Sequence, residues 1–226
     1  MGNELNHLAI IMDGNGRWAE RQNKNRSFGH EEGAKKVREI TQYCATLGIK
    51  YLTLYAFSTE NWKRPKSEVD FLMQLLAKFL KKEEKTLVKN DIRFEVIGDI
   101  SKFSSTLQNA IDNLKKKTAH CKGLTQILAI NYGSRNEILR AANQAIKNAK
   151  ELDEDGFSSF LDTHGFADVD LLIRTGGDKR LSNFLLWQSA YAELFFTKTL
   201  WPDFSTGELE TIISEYKSTS RRFGAL

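Results

Sequence analysis

Asp13-Gly14-Asn15-Gly16-Arg17 sets a carboxylate, two glycines and a guanidinium within one short segment, just after the apolar run Leu8-Ala9-Ile10-Ile11-Met12. Glycines lack a Cβ, so their backbone N–H groups can approach a phosphate closely. Arginine offers phosphate oxygens a planar fork of donors, and Arg17, Arg26, Arg64, Arg174 and Arg180 are candidates. Asp13 cannot bind phosphate directly, since both are anions. Its natural place beside one is to hold Mg2+, which takes one or two carboxylates plus phosphate oxygens. Glu193 is the other candidate carboxylate. The alternative for the stretch 17–26, which also holds Arg21 and Lys24, is a solvated charged loop.

The same segment fits the dinucleotide pattern G-x-G-x-x-A through Ala19. The acidic residue that should close the second strand of such a fold has no counterpart, and the polar stretch 20–30 separates the glycines from the first predicted helix. No G-x-x-x-x-G-K-[ST] loop is present, which excludes P-loop nucleotide hydrolysis.

These residues act together only if the chain folds them together. Apolar, β-branched or aromatic runs predict strands at 7–12, 50–57, 92–97, 124–131, 169–174 and 194–197. Segments of helical period predict helices at 31–47, 67–89, 104–118, 134–150 and 205–219, the last two opened by capping boxes, Ser134 with Glu137 and Ser205 with Glu208. Asp153-Glu154-Asp155-Gly156 reads as a solvated turn before a short helix. The alternation predicts an α/β fold around a mainly parallel sheet, in one domain spanning 1–226. In such a sheet the strand ends share one edge, where these folds bind ligands. Asp13, the run Ser58-Thr59-Glu60-Asn61-Trp62 and the run Arg174-Thr175-Gly176-Gly177-Asp178 therefore converge on one rim.

The predicted helix 67–89 carries Phe71, Leu72, Met73, Leu75, Leu76, Phe79 and Leu80, an arc of about 200° at 3.6 residues per turn. A core-facing helix needs an arc of only about 100°. The surplus implies burial on two sides or a face lining an apolar cavity. Anionic chemistry at the rim above an apolar groove suits an amphiphile with a diphosphate head and a hydrocarbon tail.

Composition narrows the class. Hydrophobic residues make up 41% and charged residues 27%, which excludes wholesale disorder. Cys44 and Cys121 belong to no CxxC pair, so neither a disulfide framework nor a thiolate zinc site is predicted, and a reducing cytoplasm is the expected compartment. No apolar run approaches the roughly 20 residues of a membrane span. Met1-Gly2-Asn3 lacks the downstream Ser or Thr of a myristoylation start, and the segment shows no signal peptide. A net charge of +4 demands no nucleic-acid partner.

The segments 7–19, 57–65, 170–177, 180–188 and 191–194 resemble, in order, the signature motifs of the cis-prenyltransferases, above all the short bacterial members. The resemblance implies an open parallel sheet of six strands wrapped by helices, with an apolar tunnel between sheet and helices, in a homodimer. It implies Mg2+-dependent condensation of isopentenyl diphosphate onto farnesyl diphosphate with new cis double bonds. The product would be a lipid diphosphate of the eleven-isoprene class that carries cell-wall sugars, released through a transient membrane contact.

Residue roles follow from the same resemblance. Asp13 is the essential carboxylate and Mg2+ ligand, with Glu193 as the second ligand. Gly14, Asn15, Gly16 and Arg17 form a loop under the primer's diphosphate, with Trp18 beside it and Arg26 and His30 extending the anion pocket. Ser58, Thr59 and Glu60 line the cleft, and Trp62 and Arg64 open a segment that contacts substrate. Asn61 is the proton acceptor. A neutral amide is a poor base, however, so a diphosphate oxygen or a water positioned by Asn61 serves equally. Arg174, Arg180, Leu181 and Ser182 grip isopentenyl diphosphate. Asp178-Lys179 stands where many members have Glu-His, and Arg222-Phe223-Gly224 fits the family's ending, which reaches a partner's site. Trans-type synthases are disfavoured, because no D-D-x-x-D motif is present. Non-catalytic relatives lack the Asp and glycines retained here.

Overall fold

The computed structural model describes residues 3–148 and 152–219. Met1-Gly2, Lys150 and Arg222-Phe223-Gly224 lie outside them. The strands are β1 (His7–Ile11), β2 (Tyr51–Ser58), β3 (Arg93–Ile97), β4 (Thr125–Tyr132), β5 (Leu171–Arg174) and β6 (Glu193–Phe196). They form one sheet in the order β3-β4-β2-β1-β5-β6, and every pairing is parallel. The helices are α1 (Asn15–Arg21), α2 (Arg26–Thr46), α3 (Lys66–Lys89), α4 (Ser105–Thr118), α5 (Ser134–Asn148), α6 (Glu154–Ser158) and α7 (Thr206–Ser218).

Both faces of the sheet are covered. Leu8, Ile10, Leu52, Leu54, Leu128, Ile130, Leu171 and Ile173 enter one apolar core, and their neighbours Ala9, Ile11, Ile127, Ala129 and Leu172 enter a second. This alternation is the pleat of strands buried on both sides, and it explains their near-continuous apolar runs. β1 lies between β2 and β5, so the chain leaves it on one side and returns on the other. Such a reversal opens a crevice beyond the strand ends, and Asp13 stands in it.

Three local expectations are corrected. The polar stretch 20–30 is not a loop: α1 fills its start, and α2 begins at Arg26, capped by the Asn25 side chain, which accepts from Phe28 N at 2.9 Å. Ser134 and Glu137 form no capping box. Ser134 already lies in the helix and its hydroxyl accepts from Leu186 N at 3.0 Å, while buried Glu137 accepts from Tyr132, Gln188 and the backbone N–H of Asp162. Asp153 caps α6 through Gly156 N at 2.7 Å, so the acidic residues after it are helical. Ser205 does cap α7, accepting from Glu208 N at 3.1 Å, but the Glu208 carboxylate turns to Thr197.

The crossing of α1 and α2 depends on glycine. A Cβ on Gly29 would collide with the Asn15 carbonyl, and one on Gly33 with the Asn15 side chain. Trp201 closes this junction by donating from its indole to Gly33 O at 2.9 Å. Gly29→Ala therefore forces the helices apart and should cost about 1–3 kcal/mol, several degrees in Tm by calorimetry. Gly207→Ala, whose Cβ would make only an ordinary contact with the Ser205 hydroxyl at 3.8 Å, should leave Tm unchanged or raise it.

Candidate active site

Arg174 ends β5 with its side chain only 5% exposed, and it organises the rim. Its Nη2 donates to Asp13 Oδ2 at 2.9 Å and Asp178 Oδ2 at 3.3 Å, and its Nη1 to Ser182 Oγ and Arg180 O, each at 2.6 Å. Arg180 donates to the same Asp178 oxygen at 2.8 Å. Arg17 pairs with the other Asp13 oxygen at 3.1 Å and donates to Gly176 O at 2.7 Å. A Cβ on Gly176 would strike that guanidinium, which is why the backbone here is glycine, at φ +89°. Desolvation pushes the Asp13 carboxyl up, but Arg174 and Arg17 together outweigh it and hold the pKa below its ordinary value.

A second cationic cluster forms where α2 meets α3. Glu68 accepts from Arg64 at 2.9 Å and from His30 at 3.2 Å, and pairs with Arg26 at 3.4 Å. A carboxylate only accepts, so Nε2 of neutral His30 carries the proton. Burial is the largest influence on His30 and lowers its pKa, partly offset by Glu68. Glu68 itself is pushed up by desolvation, yet Arg64, His30 and Arg26 leave it below the ordinary range.

Between the clusters opens a cavity of about 600 Å3. Asp13, Asn15, His30, Ser58, Glu60, Asn61, Arg64, Arg174 and Ser182 line its polar part. Leu72, Met73, Leu75, Leu76 and Phe79 of α3 form an apolar wall. Phe71, on the same helix, is not in the lining.

The remaining expected residues divide. Gly14, at φ +113°, turns the chain into α1, so Asn15, Gly16 and Arg17 begin a helix rather than a loop. Arg26 lies across Gly16, where a Cβ would meet its guanidinium. Trp18 faces elsewhere: it stacks on Phe28 and donates to Asp203 at 2.6 Å. Trp62 donates to Asn131 at 2.7 Å, and Thr59 lies against Gly133. Leu181 lines a smaller cleft with Glu60, Ser182 and Asn183. Asn61 accepts from Ser58 N at 3.1 Å, which commits its amide oxygen and leaves the NH2 as a donor. Glu193 is not brought to Asp13. It begins β6 level with Leu171, at the sheet edge opposite the rim.

Two contributors were not singled out from sequence. Glu68 could have been found as the acidic residue in the first turn of the predicted helix 67–89, close behind Arg64 in sequence. Asn183, with φ +63°, pins the Ser182 turn by donating to Glu60 at 3.0 Å and accepting from Arg135 N at 2.9 Å.

Among the described residues no cluster of three or more His, Cys, Asp or Glu could cage a metal. Ionised Asp13, 29% exposed at the cavity mouth, nevertheless fits an ion such as Mg2+ that relies on substrate phosphate for its other ligands.

The site is thus an open parallel α/β sheet whose strand ends carry arginine clusters over an apolar cavity. Residues 11–224 match the family described as putative undecaprenyl diphosphate synthase, and the chain belongs to that family; it is a prenyltransferase. It is 61% identical over 224 residues to an isoprenyl transferase of Wolinella succinogenes, covering 99% of this chain and 98% of the relative. It is 56% identical to an isoprenyl transferase of Helicobacter pylori, covering 100% and 99%. Among solved structures it resembles lavandulyl diphosphate synthase from Lavandula x intermedia in complex with dimethylallyl diphosphate (TM-score 0.93, 38% identity, 97% and 98% covered). It also resembles a probable undecaprenyl diphosphate synthase from Campylobacter jejuni (TM-score 0.84, 42% identity, 98% and 100% covered).

The Glu68 cluster makes a titration prediction. His30 should titrate below 6.5 by NMR. Glu68→Gln removes a carboxylate that favours the imidazolium and should move the midpoint lower still; an unchanged or higher midpoint refutes the pairing. Because folding depresses the His30 pKa, the unfolded chain takes up the proton first, and stability from this group falls as pH drops below about 6.5.

Proposed function

We propose that the chain, as one catalytic domain, adds isopentenyl diphosphate units to farnesyl diphosphate with cis geometry. The product is undecaprenyl diphosphate, the lipid-carrier precursor for bacterial peptidoglycan synthesis. The supporting observation is two arginine clusters at the mouth of a single apolar cavity. One suits the allylic diphosphate, through Arg26, His30, Arg64 and the start of α1. The other suits isopentenyl diphosphate, through Arg174, Arg180 and Ser182. The dimethylallyl diphosphate in the similar lavandulyl synthase is a diphosphate of the required kind.

In this reading Asp13 holds Mg2+, which when bound neutralises charge on the departing diphosphate. Arg17 and Arg26 supply further fixed donors there, worth most where charge grows as the C–O bond breaks. Arg174 and Ser182 orient the alkene nucleophile. Asn61 donates through its NH2, so the proton goes to a group it orients, a diphosphate oxygen or a water. The apolar wall of α3 shields the cation-like carbon from water and takes up the growing tail.

Glu193, at the far edge of its own sheet, can serve such an ion only in the site of a second copy. A homodimer also suits the exposed apolar residues over the second core: Leu139 (63%) and Ile146 (77%) on α5, and Leu186, Tyr191 and Leu194 around the start of β6. No helix among the described residues is long and apolar enough to cross a membrane, and a cytoplasmic enzyme is the compartment proposed. A shorter or longer polyprenyl product is the second reading, favoured by the likeness to a lavandulyl synthase.

Incubation with farnesyl diphosphate, labelled isopentenyl diphosphate and Mg2+ should yield lipid of eleven isoprene units, and a different size selects the second reading. Asp13→Ala should lower kcat by at least about 100-fold with unchanged circular dichroism, and EDTA should abolish turnover. Activity surviving both changes defeats the mechanism.

A further inference from the structure

Lys78, Lys81, Lys82, Lys85 and Lys89 occupy the C-terminal half of α3, and all are exposed. At 3.6 residues per turn they fall within an arc of about 100°, a stripe running about 16 Å along the helix. The cavity wall, Leu72 to Phe79, turns to the other side of the same helix. α3 thus separates an apolar chamber from a cationic outer surface.

Ordinary helix chemistry leaves this charge uncompensated. Both carboxylates within the stripe's span are committed elsewhere: Glu83 is buried against Arg38 of α2, and Glu84 pairs with Lys117 of α4 at 2.7 Å. Among the described residues none of the five lysines enters an ion pair. The helix dipole favours cations only in the last turn, which accounts for Lys89 and not for Lys78, Lys81 or Lys82. Exposed Val88 borders the stripe, one residue before Lys89.

We infer that the α3 lysine stripe is a docking surface for an anionic phospholipid bilayer. Clusters of about four to eight basic residues on one helix bind anionic lipid headgroups, each adding to the attraction within a Debye length of the surface. The choice of occupant rests on the proposed function, since a polyprenyl diphosphate tail must pass from protein to lipid. α3 is the wall that already touches the tail's chamber, and docking through it sets that chamber beside the membrane surface.

The test is flotation of the full chain with phosphatidylcholine vesicles containing or lacking phosphatidylglycerol. Wild type should partition onto the anionic vesicles and be released by raising salt from 0.1 to 0.5 M (~10 Å to below ~5 Å of screening length). A triple variant, Lys78→Gln, Lys82→Gln and Lys85→Gln, should bind about 100-fold more weakly. A control with the same net charge, Lys50→Gln, Lys147→Gln and Lys217→Gln, should bind nearly as wild type. Replacing the same stripe lysines by Arg should retain binding, which separates charge from misfolding. Equal loss in the two Gln triples, equal binding to neutral vesicles, or tighter retention by an RNA oligonucleotide overturns the proposal. Prenyl transfer from detergent-free soluble substrates should be unchanged in the stripe variant. Failed vesicle binding with intact transfer therefore refutes the surface alone, whereas absent transfer in wild type refutes the proposed function.

Discussion

A buried guanidinium is costly unless its charge and its donors are satisfied. Arg174 meets that demand through Asp13, Asp178, Ser182 and the Arg180 carbonyl, and in doing so ties the tip of β1 to the whole segment after β5. Its Nε is buried with no hydrogen-bond partner among the described residues. Of the residues expected to hold diphosphate, Arg180 and Ser182 touch this group and Arg17 reaches it through Asp13. Carboxylates occupy forks that would otherwise face one another as bare cations. Glu68 does the same for Arg26, His30 and Arg64. Under the proposed function a diphosphate exchanges one anion for another at each cluster, so its binding creates no new buried charge.

Fixing these groups within hydrogen-bond distance requires rigid supports. Asp13 O accepts from both Thr175 Oγ1 at 2.8 Å and Trp201 N at 3.0 Å, so the residue bearing the carboxylate is held by its own backbone. Trp201 in turn bonds to Gly33 on α2, and Gly29 admits α1 against that helix. The same close crossing brings Arg26 over Gly16. A side chain at either α2 glycine would shift the cluster between α2 and α3 relative to Asp13, so packing at uncharged residues sets the spacing of the charges.

Much of this was legible in the sequence because strands buried on both faces read as apolar runs, and their ends carry chemistry rather than packing. All six strands and the rim placement of Asp13 and Arg174 follow from that pattern. α1 and the start of α2 did not, because Gly29 and Gly33 lower helix propensity where tertiary contact rewards their small size. The Ser134–Glu137 box was a local pattern that lost to tertiary demand: Glu137 serves a buried network with Tyr132 and Gln188, where burial raises its pKa and tertiary donors claim its oxygens. Glu193 falls just before the predicted strand 194–197, hence at the end remote from the rim, and its pairing with Leu171 has it there; a role at Asp13 therefore requires a second copy of the chain.

α3 shows how one element can meet incompatible demands by dividing them along and around its axis. Its first turn supplies Glu68 as the partner of His30 and Arg64 at the polar mouth, its middle supplies Leu72 to Phe79 to the chamber, and its end buries Leu80 and Leu87 in the core. The apolar arc that is too wide for simple core packing narrows after Phe79, where the lysine stripe takes over the outer face. A polar residue in the middle would wet the chamber, and an apolar one in the stripe would leave an adhesive patch on the surface. The change of pattern midway along the helix therefore marks where the chamber's lining gives way to ordinary core on one side and to a charged surface on the other.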